Sequence, residues 1–445
     1  MLNPTHLNKT LVNPSLATLL LAVMALGLSG ISPVARSQTA ARTVAIDQPF
    51  VEPAAPLTLD AAVRLALDHN PVVAAARYEI EATEGQIVQG SLRPNPDIAY
   101  VADDTRHVSR SSTAQFDIPV ETAGKRAARI EAAERGRSVA LSDFGGAQLR
   151  VRALVTAAFF DVLAAQEQTA LARETLQLAQ RATDIAVKRV AAGKVSPVEE
   201  TRARVAEGGV RVSLMQAESQ LKNARHRLSG LWGNPEPHFT EVAGELDRLI
   251  DSPAIDVVQQ RLASSPLLER AQREVERRRS LVGVEQSRAV PDLTFSIGVK
   301  RQETLTGEQM LVGVKVPLPL FNRNQGNLLE ALRREDKARE ELRAVQVNLS
   351  SEALQALERV NARRDEVELL RRDVLPGAQS AYEAATIGFE NGKFSFLEVL
   401  DAQRTYFSAK SQFLTALAAF HRAQTELESL LGQSDSGAAP SSSKE

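Results

Sequence analysis

The chain states one structural block of almost 200 residues twice, so whatever a segment folds into, it must fold into a second time. Pro71 and Pro266 each open a helical stretch that runs to a Pro-Asp pair, Pro96-Asp97 and Pro291-Asp292, both at a shift of 195 residues. Farther on, Gly193-Lys194-Val195-Ser196 and Gly392-Lys393-Phe394-Ser395 repeat at a shift of 199, as do Leu231-Trp232-Gly233 and Leu430-Leu431-Gly432. A period of this length is too long for a solenoid. It predicts one architecture made of two similar halves, spanning residues 57–235 and 253–432.

Within each half the pattern changes from short helix to strand to very long helix. Thr58 stands at the N-cap of a first helix, and a second follows Pro71 to about Leu92. Then apolar and polar residues alternate: Phe116 and Ile118 in the first half; Leu293, Phe295, Ile297 and Val299, and later Met310, Val312, Val314 and Val316, in the second. Period two predicts strands with one apolar and one wet face, paired as hairpins over 97–119 and 292–317 with connectors at 104–112 and 301–308. Residues 98–103 form the remaining strand. Four strands cannot close a barrel, so strands that meet lipid require several chains. Two soluble hairpins that merely cap helices fit the same alternation.

Residues 147–192 and 327–375 contain neither Gly nor Pro. A helix from near Ala123 to the Gly193 turn would extend roughly 100 Å. Gly145-Gly146 is a place for it to bend, and Pro376 should kink its counterpart. Each long helix stops at the repeated glycine and restarts at once, because Ser196-Pro197-Val198-Glu199 and Ser395-Phe396-Leu397-Glu398 both carry the capping-box pattern. These tips, 193–196 and 392–395, are not phosphate loops. Lys188 and Ile387 stand where the first glycine of such a loop belongs, and Val195 and Phe394 where its Ser or Thr belongs. The returning helices keep a seven-residue period, Tyr406, Phe413, Phe420 and Leu427 beside Ala409, Ala416 and Ala423, a pattern of large residues facing small ones that suits a coiled coil.

The composition agrees with long helices packed on small residues: 43% hydrophobic but only 4% aromatic. A net charge of −2 supplies no field for nucleic acid, and the absence of cysteine excludes thiolate metal sites and a lipidated cysteine anchor. Residues 16–28 are apolar, too short to span a bilayer, and followed by Ala35-Arg36-Ser37. Residues 1–37 are thus expected to be a secretory signal peptide, 38–56 an extended lead-in, and 433–445 a disordered tail. No other apolar run reaches the length of a membrane helix, so entry into a membrane would require a β-barrel. The six histidines are scattered, no serine sits in a nucleophile elbow, and no carboxylate pair stands apart; neither catalysis, a cofactor nor a bound metal is expected.

These features together resemble the TolC-like outer-membrane efflux proteins over essentially all of residues 57–432. The residues that carry the resemblance are Leu57-Thr58-Leu59-Asp60-Ala61-Ala62, Asn95-Pro96, Gly193 with Ser196, and the run from Gly388 to Gln403. The run from Val316 to Gly326 (VPLPLFNRNQG) looks like the branch serving cobalt–zinc–cadmium efflux. The resemblance implies a mainly α fold with a small β part. Three chains would form an α-barrel of long antiparallel helices and, with four strands each, a twelve-stranded β-barrel in outer-membrane lipid. It also implies a homotrimer, a periplasmic adaptor, an inner-membrane resistance–nodulation–division (RND) pump and no nucleic acid. A periplasmic coiled-coil adaptor and a duct for drugs or other small molecules remain the rival readings. On this basis Val190, Gly193, Val195, Ser196, Phe389, Gly392, Phe394 and Ser395 are the expected adaptor contacts, and Glu398 and Asp401 possible liners of the periplasmic entrance.

Overall fold

The computed structural model describes residues 52, 56–103, 110–302, 307–391 and 393–432. The expected signal peptide, most of the lead-in, Gly392 and the tail lie outside the described residues. In chain order the elements are β1 (Leu57–Thr58), α1 (Leu59–His69), α2 (Pro71–Ser91), β2 (Asp97–Asp103), β3 (Ser111–Val120), α3 (Lys125–Ala191) and α4 (Pro197–Gly230). The order then runs again: β4 (Val242–Ala243), α5 (Ile255–Leu262), α6 (Pro266–Arg288), β5 (Leu293–Gln302), β6 (Glu308–Lys315), α7 (Gln325–Leu369), a π-helical turn (Leu370–Val374), α8 (Leu375–Glu390) and α9 (Phe396–Leu431).

The two long helices, α3 and the α7–α8 pair, reach from the β-hairpins to the tight turns at 193–196 and 393–395, and the shorter helices stack end to end beside them. α2 and α4 both pack on α3, while α6 and α9 each lie between α3 and α7. The joints between stacked helices are built twice. Asn70, at the N-cap of α2, donates its side-chain N–H to Leu231 O at 2.7 Å. Ser265, at the N-cap of α6, donates to Leu430 O at 2.9 Å. In both cases the carbonyl-rich end of one helix meets the N–H-rich start of another, which aligns their dipoles head to tail. The helix-opening prolines and the Leu231 and Leu430 landmarks, far apart in the repeat, are neighbours in space.

The core sits at the middle of the long helices. Val155, Phe159 and Val162 on α3, Leu228 on α4, Val360 on α7 and Leu417 and Phe420 on α9 are essentially sealed from solvent. Burying each such side chain stabilises the fold by roughly 1.5–3 kcal/mol. Ala409, Ala416 and Ala423 are buried as well, so the small residues of the seven-residue pattern lie at the contact. At the same level β1 pairs parallel with β4. Glu52 is buried there and accepts from Trp232 Nε1 at 3.0 Å, Asn234 Nδ2 at 2.8 Å, and the His238 and Phe239 N–H groups at 2.6 and 2.9 Å. Four donors replace the water the carboxylate loses.

β2, β3, β5 and β6 form one antiparallel sheet in that order. The strands are longer than the alternation indicated: Ser111 and Ser112, Arg301 and Gln302, and Glu308 belong to the ladder, and the connectors shrink accordingly. β6 ends at Lys315 and does not include Val316.

The start of α3 is also later than Ala123. Ala123 and Gly124 both have positive φ, 52° and 69°, and the helix begins at Lys125. The left-handed Ala123 costs roughly 1–2 kcal/mol. It is held by its neighbours: Thr122 N–H donates to Asp292 Oδ1 at 3.0 Å, and Lys125 Nζ reaches the same oxygen at 2.6 Å. Burial disfavours the Asp292 anion, but Lys125 and the Thr122 N–H outweigh it and hold the carboxyl below the usual range. α3 passes through Gly145 and Gly146 without interruption, so an unbroken hydrogen-bond ladder overrides the weak helix propensity of glycine there. Pro376 does disturb its helix, and the π-helical turn just before it takes up the disturbance.

Candidate functional site

Two regions can carry the function: the sheet at one end of the long helices and the two tight turns at the other. The register of the sheet puts a mainly apolar face against a mainly polar one. Ile98, Phe116, Ile297 and Val312 form one rung, and Tyr100, Ala114, Val299 and Met310 the next. The rungs between carry Ala99, Gln115, Gly298 and Leu311, and Asp97, Asp117, Ser296 and Gly313, on the other face. On the apolar face Ile98, Tyr100, Met310 and Val312 are 64–75% exposed, a wide greasy surface that no other described residue covers. On the polar face Asp117 accepts from Ser296 Oγ and from Gln115 Nε2, both at 2.5 Å. A Cβ at Gly298 would lie 2.6 Å from Ala114 O, so glycine is required there for the strands to approach. Among the described residues no helix is long and apolar enough to cross a membrane.

At the first tip α3 ends in a Schellman turn. Gly193 takes φ 66°, its N–H donates to Val190 O at 2.9 Å, and the Lys194 N–H donates to Arg189 O at 2.9 Å. Ser196 then caps α4 through the Val198 N–H. The expected capping box is not made: Ser196 Oγ accepts from the Val198 N–H and not from that of Glu199. The Glu199 carboxylate does not return to the Ser196 N–H but faces Arg202, one turn on, at 3.5 Å. A charged partner at i+3 competes with a single backbone donor and wins.

The second tip makes the whole box. Ser395 Oγ accepts from the Glu398 N–H, and Glu398 Oε2 accepts from the Ser395 N–H at 2.6 Å and its hydroxyl at 2.9 Å. The Ser395 N–H, with its hydroxyl, holds the Glu398 carboxyl below the usual range. Lys393 N–H donates to Gly388 O at 2.8 Å, repeating the turn. Gly388 itself is buried, because the Phe394 ring lies on its Cα: a Cβ there would sit 2.1 Å from the ring. The two tips touch through the Arg189 guanidinium, 4.0 Å over the centre of the Phe389 ring.

The expected contact residues are therefore brought together in two groups, though not all are accessible. Gly193, Ser196, Phe394 and Ser395 are exposed, while Val190, Val195 and Phe389 are half-buried; Gly392 lies outside the described residues. The exposed apolar groups that the sequence reading missed are Val198, Ile387 and Leu397. Val198 and Leu397 occupy the same place in the two copies, directly after the cap. An apolar side chain in a first helical turn, where it has no capping role, was the available signal. Glu398 and Asp401 are both exposed, and Asp401 is paired with Arg404 at 2.9 Å, two side chains largely in water. Among the described residues no group of three His, Cys, Asp or Glu could hold a metal ion.

Comparison with known proteins agrees with this geometry. The family described as "Outer membrane efflux protein" matches residues 62–234 and 257–433, one match per half. The chain is 45% identical to the cobalt-zinc-cadmium resistance protein CzcC of Cupriavidus metallidurans, over 86% of this chain and 91% of that one. It is 27% identical to the nickel and cobalt resistance protein CnrC of the same organism, over 65% of this chain and 70% of the relative. Its fold is similar to the crystal structure of the Campylobacter jejuni CmeC outer membrane channel, with TM-score 0.70 at 17% identity, covering 84% of this chain and 85% of that chain.

Proposed function

The chain belongs to the outer membrane efflux protein family, and on that premise we propose that it is the exit duct of a tripartite, proton-driven system that expels divalent heavy-metal cations. Channels of this family are homotrimers that work with a periplasmic adaptor and an inner-membrane RND pump. The observation that carries the duct reading is the sheet. It has one continuous apolar face, one polar face and two open edges, in a chain whose described helices cannot span a bilayer. Three copies joined edge to edge give twelve strands with lipid outside and a wet lumen inside. The long helices then carry the wall roughly 100 Å into the periplasm. The cargo follows from the similarity to CzcC, whose name gives cobalt, zinc and cadmium. The chain is a transport component, not an enzyme.

In this reading the tips receive the adaptor. Gly193, Gly392 and the capping serines allow close backbone approach, and Val198, Ile387, Leu397 and Phe394 supply apolar contact. Expression with its pump and adaptor in a host lacking its own duct should restore growth in zinc, cobalt and cadmium. Gly193→Trp or Gly392→Trp should abolish that growth while trimers still assemble; tolerance unchanged in both variants would refute tip docking.

Glu398 and Asp401 lie within two turns of the second tip, so threefold symmetry brings three of each towards the axis. The tie to Ser395 holds the Glu398 carboxyl below the usual range, Asp401 lies one turn on beside Arg404, and converging carboxylates suit divalent cations. Single-channel recordings should show cation selectivity and divalent block both reduced by Asp401→Ala and Glu398→Ala. If neither moves, the two acids serve only the helix start.

A further inference from the structure

The two hairpins differ at the end nearest the long helices. In the first copy Ile118-Pro119-Val120 is the end of β3 and faces Phe295, Thr294 and Leu293 of β5. In the second copy Leu318-Pro319-Leu320 stands 200 residues later, yet β6 has already ended at Lys315, and no strand among the described residues pairs with it. Leu318 and Leu320 are 74% and 66% exposed. The Leu320 N–H turns back onto Leu318 O at 2.9 Å, a local bond that a strand partner would replace.

Where both copies pair, they are in strict register. Shifting β2 onto β5 by 195 and β3 onto β6 by 200 carries the pair Ala99–Gln115 onto Thr294–Lys315, and both pairs are present. The same two shifts can be applied to the seam between the copies, where Val120 faces Leu293 and Ile118 faces Phe295. They place Leu320 opposite Ile98, and Leu318 opposite Tyr100, of another chain.

We propose that residues 316–320 extend β6 in the assembled duct and pair antiparallel with β2 of the next copy in that register. The proposal deepens the trimeric-barrel reading and rests on it. Backbone chemistry supports it independently. Pro119 has no N–H yet stands inside β3 opposite Thr294, so its donor side must face away from β5. Even-numbered residues of β3 therefore bond to β5 and odd-numbered ones to β2. Following that alternation outward, the unpaired backbone groups on both free edges belong to even-numbered residues: Ile98 and Tyr100 on β2, Met310 and Val312 on β6. The register joins even to even. Pro317 and Pro319 are odd, so their missing donors fall on the side where β5 has ended. It also keeps apolar against apolar on the lipid face, which a slip of one residue would reverse.

The chain has no cysteine, so introduced pairs report register directly. A hydrogen-bonded antiparallel pair holds its Cα atoms roughly 5.5 Å apart, within disulfide range. After oxidation in outer membranes, the Leu318→Cys/Tyr100→Cys chain should run as covalent trimers on a non-reducing gel. Leu320→Cys/Ile98→Cys, a second rung, should do the same and guards against local misfolding in the first. The offset pairs Leu318→Cys/Ile98→Cys and Leu318→Cys/Ala102→Cys should remain uncross-linked. Linkage through an offset pair overturns the register, as does no linkage in chains that still purify as outer-membrane trimers. Chains that form no membrane trimer even without the substitutions defeat the barrel reading itself, and the register with it.

Discussion

The first long helix is unbroken and the second is jointed, although both occupy the same place in the repeat. α3 runs 67 residues as α-helix from the hairpin to its tip. Its counterpart passes through a five-residue π-helical turn before Pro376. Proline has no N–H to give the carbonyl four residues back and its ring crowds that carbonyl, so a wider turn accommodates it. The tips differ in the same sense. At a shift of 199, Gly388 corresponds to Arg189 and Phe394 to Val195. A large ring folded back onto the helix demands glycine beneath it, whereas the smaller valine tolerates an arginine. One half is a plain rigid stave, and the other is a stave with a joint and a packed, sequence-specific end.

The largest expected effect tests that end. Gly388→Ala places a methyl group where the Phe394 ring now lies and should destabilise the second tip by about 3 kcal/mol. Adding Phe394→Val, which copies the first tip, should recover most of the loss. Limited proteolysis at the tip and metal tolerance would both report it. A silent Gly388→Ala, or no rescue by the second substitution, would mean that the two tips are built alike after all.

A smaller contrast lies at the stacked joints. Asn70 both caps α2, accepting from the Val72 and Val73 N–H groups, and donates to Leu231 O. Ser265 only donates to Leu430 O, and Arg261 shares that joint by donating to Gly432 O at 2.7 Å. Asn70→Ala should therefore cost about 2 kcal/mol and Ser265→Ala about 1 kcal/mol. Thermal melts of the detergent-solubilised trimer measure both. Equal losses would mean that the joints, unlike the tips, are equivalent.

What the sequence made legible was whatever repeats along one element. Alternation separated Ile297 from Ser296, and the seven-residue spacing put Ala409, Ala416 and Ala423 on the buried side, because burial follows the period of the backbone. The tips were legible from Gly193 and the capping serines, since turn chemistry is local. Long-range pairings left no such trace. Glu52 lies in a Pro/Ala-rich stretch, and its donors come from a loop some 180 residues away. The unmade box at Ser196 turned on Arg202, a competitor outside the motif. Phe394 over Gly388 depends on how a turn folds back, and neither residue alone signals it.

The smallest prediction uses a difference in charge between the returning helices. On α9 His421 is buried, stacked on Phe160 at 3.8 Å, with its Nε2–H donated to Leu246 O at 2.8 Å. The position 199 residues earlier is Lys222, exposed on α4. Burial pushes the His421 pKa below its ordinary value, against the opposing pull of the Leu246 carbonyl. The folded chain thus holds a neutral imidazole, while the unfolded chain binds a proton near pH 6.5. Stability is full above that unfolded pKa and declines as pH falls towards the lower folded one. The slope for this single proton cannot exceed about 1.4 kcal/mol per pH unit. The melting temperature of the wild type should be flat between pH 8 and 7 and fall from about 6.5 to 5. His421→Gln keeps a donor for Leu246 O but cannot titrate; it should melt lower at pH 8, with a shallower acid slope. Lys222→Gln, on the other stave's partner, should leave the slope as it was. If His421→Gln and the wild type lose stability in parallel, the acid sensitivity belongs to carboxylates elsewhere, and the two returning helices do not differ in this respect.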